Sequence, residues 1–405
     1  MSRASFFTEE TKMKAIKNTK LITELGIIWD AAVVWDGDTI VRAGRADQVE
    51  IPAGAEVIDA GGKYTAPGLI DIHNHGGGDW KYAEDPVYCA KWFILHGETT
   101  VLPTMYHNLN MQQMLEAADK IDAVKDKGVG RTMKYGMYME GPFMHLSGSF
   151  QSEIAWSGDI KEEEYKPLID GLGKRAAVYA IDPSREHIED VLAYAKKVNP
   201  DVIFAYGHSN ATSEECRRVR KYGCKVHTHH GDAGRSKGRA QGTPGAGCDE
   251  YSLIEPELYS ELIMDENAIH VVPDLAKSII KCKGPEHIIL ITDSMPKQSD
   301  YTNNMEAGIW FGPDLNYDDI GYLAGSRMTL EHGCRNLMTH TPYGLAHAIS
   351  MATINPARML GIDDQVGSLE PGKKANIIVI DDQVNIDKVF LEGELAVADG
   401  KVVMD

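Results

Sequence analysis

Through the middle of the chain, short apolar runs alternate with longer stretches whose apolar residues recur at helical spacing. The runs are residues 69–75 (LIDIHNH), 99–104 (TTVLPT), 134–141 (KYGMYMEG), 176–182 (AAVYAID), 202–208 (VIFAYGH), 224–230 (CKVHTHH), 268–274 (AIHVVPD) and 288–294 (IILITDS). Segments such as MQQMLEAADKIDAVKD and REHIEDVLAYAKKV lie between them. Repeated strand–helix units predict a parallel sheet, and eight of them in one stretch predict a (β/α)8 TIM barrel. The two ends of the chain read differently. Residues 14–62 and 366–405 break into short strands separated by turn signals such as Asp36-Gly37-Asp38 and Gly61-Gly62. We therefore expect residues 1–66 and 366–405 to build one small β-sandwich domain, with the barrel over 67–365.

One regularity changes this from a fold prediction into a functional one. Seven of the eight runs carry ionisable groups at or near their ends: His73 and His75, Glu140, Asp182, His208, His229, His270 and Asp293. Barrel enzymes gather their chemistry at strand C-termini, where residues distant in sequence converge. In His73-Asn74-His75, alternate residues of a strand share a face, so both imidazoles can reach one ion. Alone, that pair reads equally well as two solvent-facing histidines. Together with Glu140, His208 and His229 it makes a nitrogen/oxygen ligand set suited to one or two divalent metals, zinc first, with iron, manganese, cobalt or nickel as alternatives. Asp293, a carboxylate beside such a set, can accept a proton from water and pass it on. On its own it would also read as a helix N-cap.

Charge and composition narrow the partners. The formal net charge of −19 opposes binding to a phosphate backbone, so nucleic acid is excluded as the main target. No uncharged apolar run is long enough for a membrane span, and the first residues, MSRASFFTEETKMKA, lack the apolar core of a secretory signal. The six cysteines form no CxxC pair. They read as reduced, buried thiols of a cytoplasmic protein. One segment concentrates positive charge. Residues 231–247 (GDAGRSKGRAQGTPGAG) carry Arg235, Lys237 and Arg239 among six glycines, which can cradle an anion or form a solvated surface loop. Trp310 and Phe311 lie in a long connection after the last strand and read as lid or loop anchors.

The motifs APGLIDIHNHGG, YMEGPF, YGHSNAT, ILITDSM, LAGS, ATINPARMLGI and LEPGKKANIIVID resemble the amidohydrolase superfamily, and within it the N-acetylglucosamine-6-phosphate deacetylases. The resemblance implies a metal-dependent hydrolase of the N-acetyl group of an amino sugar, free or phosphorylated, acting as a homodimer. It implies Glu140, His208 and His229 as ligands of a main metal, and His73 and His75 as ligands of a second. It makes Asp293 the general base and then the acid, and puts His270 at the substrate. Two places depart from the pattern. After EGPF the family carries a Gly-Ala-His stretch, where this chain reads MHLSGSF with His145 out of register. Where the family reads Leu-Phe-Asn-Ala-Met in its phosphate pocket, this chain reads His230-Gly231-Asp232-Ala233-Gly234. An aspartate there repels phosphate. Two rival functions are a different amidohydrolase reaction, on a cyclic amide or an N-acyl amino acid, and an inactive barrel serving as a binding protein.

Overall fold

The computed structural model describes residues 13–145, 154–232, 234, 242, 245–296, 314–318 and 321–405. Ala233, Arg235, Lys237, Arg239, Trp310 and Phe311 lie outside the described residues.

Eight parallel strands follow one another in order around the barrel: β1 Leu69–Asn74, β2 Glu98–Tyr106, β3 Met137–Glu140, β4 Ala176–Ile181, β5 Ile203–Tyr206, β6 Cys224–His227, β7 Tyr259–Ile263 and β8 Ile288–Ile291. The ring closes just past the ends of β8 and β1, where Asp293 N donates to His73 O at 2.9 Å and His75 N donates to Ser294 O at 2.8 Å. Each strand is followed by a helix: α1 Pro86–Leu95, α2 Met111–Val124, α3 Glu162–Leu172, α4 Ile188–Val198, α5 Ser213–Val219, α6 Cys248–Ile254, α7 Pro273–Lys283 and α8 Leu330–His340. Side chains of a strand alternate between faces. Tyr138, Val178, Ala180, Ile203, Ala205, Ile289 and Ile291 pack together inside the ring. Their neighbours Met139, Tyr179, Ile181, Phe204 and Leu290 pack outward with helix residues such as Phe93 and Val191.

Local chemistry sets where the helices begin. Asn110 and Gln113 form a reciprocal capping box at α2, and Thr212 and Glu215 do the same at α5. Among the described residues no helix is long and apolar enough to cross a membrane. All six cysteines are free thiols. Cys282 is exposed, against the expectation that all are buried, because α7 turns that position to solvent.

The seventh strand is not where the apolar pattern put it. The run 268–274 is a loop that leads into α7, and β7 lies earlier, at Tyr259–Ile263. Pro273 occupies the first position of α7, where its missing N–H costs nothing. Asp265 holds the loop before it by accepting from Ile269 N and His270 N, each at 2.9 Å.

Both chain ends enter one nine-stranded sheet. The N-terminal segment supplies Met13–Thr23, Gly26–Asp36, Thr39–Arg45, Glu56–Asp59 and Tyr64–Pro67. The C-terminal segment supplies Ile377–Ile380, Ile386–Leu391, Glu394–Ala398 and Lys401–Val402. They join where Ile378 pairs antiparallel with Ala66. The sheet folds back on itself: Trp35 meets Phe390 edge-on at 5.2 Å, and its indole N–H donates to Gly393 O at 3.1 Å. A large aromatic removed from a closed core typically costs about 3–5 kcal/mol. Trp35→Ala should therefore lower the unfolding free energy obtained from urea titration by an amount in that range, with a lower midpoint, and Trp35→Phe by much less. Equal midpoints for the two variants would mean that this contact does not hold the two chain ends together.

Candidate active site

Three residues at the mouth of the barrel have a backbone conformation that L-residues rarely adopt. His208, His229 and Asp293 have φ of 45°, 26° and 47°. Each stands two residues past the end of its strand, beyond Tyr206, His227 and Ile291 respectively. Such strain persists where the surroundings fix it, and here neighbouring segments do so. His145 N donates to His208 O at 2.8 Å, His229 N donates to the Glu261 carboxylate at 3.1 Å, and Asp293 is held on both sides, to His73 O and from Ser326 N. The LAGS segment explains itself here. Gly325 has φ +60°, and a Cβ on it would fall 2.3 Å from Asp293 O, so only glycine lets this backbone press against Asp293.

The side chains converge on Glu140. Its Oε1 lies 3.0 Å from His208 Nε2 and 3.1 Å from His229 Nε2. Its Oε2 lies 3.0 Å from His75 Nε2 and 3.4 Å from His73 Nε2. Asp293 Oδ1 stands beside the second pair, 3.1 Å from His75 Nε2 and 3.6 Å from His73 Nε2. One carboxylate thus serves two histidine pairs, one on each oxygen. Apart from His208, which is slightly open, these side chains are almost fully buried.

The donor set fits a divalent cation. His73 Nε2, His75 Nε2 and Asp293 Oδ1 are buried, close together, and make no hydrogen bond. Their separations approach the roughly 3.3 Å between neighbouring ligand atoms around a tetrahedral ion with bonds of about 2.0–2.1 Å. Two overlapping groups can hold an ion: His73, His75, Glu140 and Asp293, and Glu140, His208 and His229. The electrostatics agree. Burial works against the charged form of every group here, yet the carboxylates of Glu140 and Glu261 push the imidazole of His73 well up, and His73, His208 and His229 hold Glu140 well below the usual carboxylate range. His229 is raised to about 9 despite its burial, by Glu140. A pocket that draws protons onto buried imidazoles favours positive charge.

Glu261 supports this arrangement from behind. Its carboxylate binds His73 Nδ1 at 3.0 Å and the backbone N of His229 at 3.1 Å, tying two cluster residues to β7. Tyr138 stacks on the His73 ring at 4.4 Å, and its hydroxyl is 2.7 Å from Thr228 Oγ1.

Residues 64–402 match the model of the amidohydrolase family. That span is most of the chain. The chain belongs to the amidohydrolase family. It is 28% identical over 355 residues to N-acetylgalactosamine-6-phosphate deacetylase of Escherichia coli O157:H7, covering 85% of this chain and 91% of that protein. It is 27% identical over 382 residues to N-acetylglucosamine-6-phosphate deacetylase of Vibrio furnissii, covering 89% and 91%. Among solved structures, N-acetylglucosamine-6-phosphate deacetylase of Pasteurella multocida superposes with a TM-score of 0.81 at 22% identity, over 95% of this chain and 99% of that one. This last likeness concerns the fold.

Of the residues singled out in the sequence of this amidohydrolase, the structure gathers His73, His75, Glu140, His208, His229 and Asp293 into one cluster. His270 reaches the same mouth from the loop after β7. Its Nδ1 is 3.0 Å from Asp265, its Nε2 is buried without a hydrogen bond, and the Asp265 hydrogen bond, with the charges of Asp232 and Asp293, raises its pKa against the effect of burial. Asp232 lies at the edge, with Oδ2 4.0 Å from His229 Nδ1. The other two face elsewhere. His145 is half-open and faces Asp182, with Nδ1 3.9 Å from its carboxylate. His230 faces outward from the barrel, bonded to Ser260 Oγ at 3.0 Å, because consecutive residues of an extended segment point to opposite sides. Asp182, at the end of β4, anchors the GHSN loop by accepting from Ser209 Oγ at 2.6 Å.

Glu261 is not evident in the sequence, because the short, half-polar run YSELI does not stand out as a strand. Carboxylates that orient ligand histidines commonly contribute ten- to a hundredfold to metal affinity. Glu261→Gln should weaken zinc binding by about that factor in competition with a chelator. Unchanged affinity would reduce Glu261 to a purely structural contact.

Proposed function

We propose that this amidohydrolase removes the N-acetyl group of an N-acetylhexosamine, with the 6-phosphates of N-acetylgalactosamine and N-acetylglucosamine as the first substrates to test. The observation that carries the reading is the Glu140 carboxylate shared between two histidine pairs, with Asp293 beside one of them. The names of the relatives from Escherichia coli O157:H7 and Vibrio furnissii supply the substrate class.

In this reading Glu140, His208 and His229 hold the main metal, and His73 and His75 with Glu140 hold a second where one binds. Zinc is the first candidate, given imidazole and carboxylate donors. A divalent ion there supplies Lewis acidity to an amide carbonyl and to water. Asp293 does the proton work. Burial alone would raise its carboxyl, but His75 and His73 hold it below its ordinary value, so it is a carboxylate ready to accept a proton. As water adds to the acyl carbon, Asp293 takes its proton. When the C–N bond breaks, Asp293 returns that proton to the sugar nitrogen, and acetate and the free amine leave. His270, held by Asp265 and raised in pKa, presents an Nε2–H to the acyl oxygen as negative charge grows on it.

A second reading rests on Asp232. Its carboxylate, 4.0 Å from His229 Nδ1, places negative charge at the start of segment 231–247, where the family resemblance would put a phosphate pocket. That favours an uncharged acyl-amine, such as an unphosphorylated acetylated sugar, a cyclic amide or an N-acyl amino acid. Acetate release from N-acetylhexosamines with and without the 6-phosphate separates the two. Preference for the phosphorylated sugars supports the first reading, and turnover confined to cyclic amides or acyl amino acids overturns it. Asp293→Asn should retain its metal and lose ~10²–10⁴-fold in turnover. Near-normal activity would remove Asp293 from the proton path.

A further inference from the structure

We propose that His227, His230 and Asp249 form an additional metal site, separate from the Glu140 cluster, that takes a zinc-type divalent ion. One ligand atom from each of the three lies within 4.8 Å of the other two. His227 Nε2 is 2.8 Å from Asp249 Oδ1, and the two imidazole rings stand edge to face at 4.6 Å. Two imidazoles and one carboxylate make a donor set suited to zinc, with the fourth position of a tetrahedron left for water.

The surroundings favour a ligand role over chance proximity. His227 and His230 are 2% and 1% exposed, and buried polar groups of this kind need partners. His230 Nδ1 is already bound to Ser260 Oγ at 3.0 Å, leaving Nε2 to coordinate. Ligand histidines are commonly fixed in this way through their second nitrogen. His227 Nδ1 is buried with no hydrogen bond, so the His227–Asp249 pair alone does not satisfy the cluster. Asp249 is partly open, with 27% of its side chain exposed, which gives an ion a route in.

The site lies on the outer side of β6, opposite the Glu140 cluster. Val226 packs inside the barrel and Thr228 meets the Tyr138 hydroxyl there, so His227 between them points outward. The three ligands also come from both ends of one connection. His227 and His230 precede it, and Asp249 stands in the first turn of α6, where it ends. A Cβ on Gly234 would fall 1.8 Å from Asp249 Oδ1, so this backbone passes directly against the proposed ligand. An ion here would clamp the β6–α6 connection at its two ends. The inference does not depend on which acyl group the enzyme removes.

The test is zinc stoichiometry. Wild-type enzyme stripped of metal and dialysed against micromolar zinc should bind one more ion per chain than the His227→Gln, Asp249→Asn double variant, with circular dichroism unchanged. Equal zinc content overturns the proposal and leaves the cluster an ordinary His–Asp pair. Should the double variant fail to fold, wild-type crystals grown after the same dialysis decide the matter. Anomalous density at the zinc edge between His227, His230 and Asp249 supports the site. Density confined to the Glu140 cluster overturns it.

Discussion

The mouth of this barrel is organised around one carboxylate that has to satisfy four imidazoles. Glu140 can do so because its two oxygens face different histidine pairs, His208 with His229 and His73 with His75. That sharing places strict demands on the scaffold. The ends of β1, β3, β5 and β6 must meet within a few ångströms, and Asp293 must arrive from β8. The left-handed backbone at His208, His229 and Asp293 accompanies that convergence, as strain held in place by its surroundings. Closure of the ring through His73, His75, Asp293 and Ser294 fixes both sides of the seam where the carboxylates converge.

Around that centre sit two kinds of support. One is electrostatic: Glu261 holds the far nitrogen of His73 and the backbone of His229, and Asp265 does the same for His270. The other is steric: Gly325 lets the LAGS segment lie against Asp293, and Gly207 would, with a Cβ, run into Thr228 at 2.6 Å. Both kinds restrict the clustered side chains to one geometry, the kind of preorganisation from which catalytic sites gain much of their rate.

Much of this was legible in the sequence, for a physical reason. A strand buried on both faces is an apolar run, so a histidine or carboxylate at its end stands out, and His73, His75, Glu140, His208, His229 and Asp293 were all found that way. The seventh strand was not legible. YSELI is short and half polar because Glu261 and Ser260 serve neighbouring side chains, whereas AIHVVPD is more apolar and yet bends around Asp265 into α7. The direction of His230 was likewise hidden. Adjacent histidines look alike in a sequence, and only the alternation of the backbone sends His229 to the axis and His230 away from it.

The claim that Glu140 is the shared centre of a metal site has a direct measurement. Crystals of the enzyme with its native metal, and of Glu140→Ala prepared in the same way, should be compared by anomalous diffraction at that metal's absorption edge. A strong peak among Glu140, His208 and His229 is expected in the wild type, and its loss in Glu140→Ala. An undiminished peak at that position in Glu140→Ala, or a wild-type map with no peak beside Glu140, would contradict it.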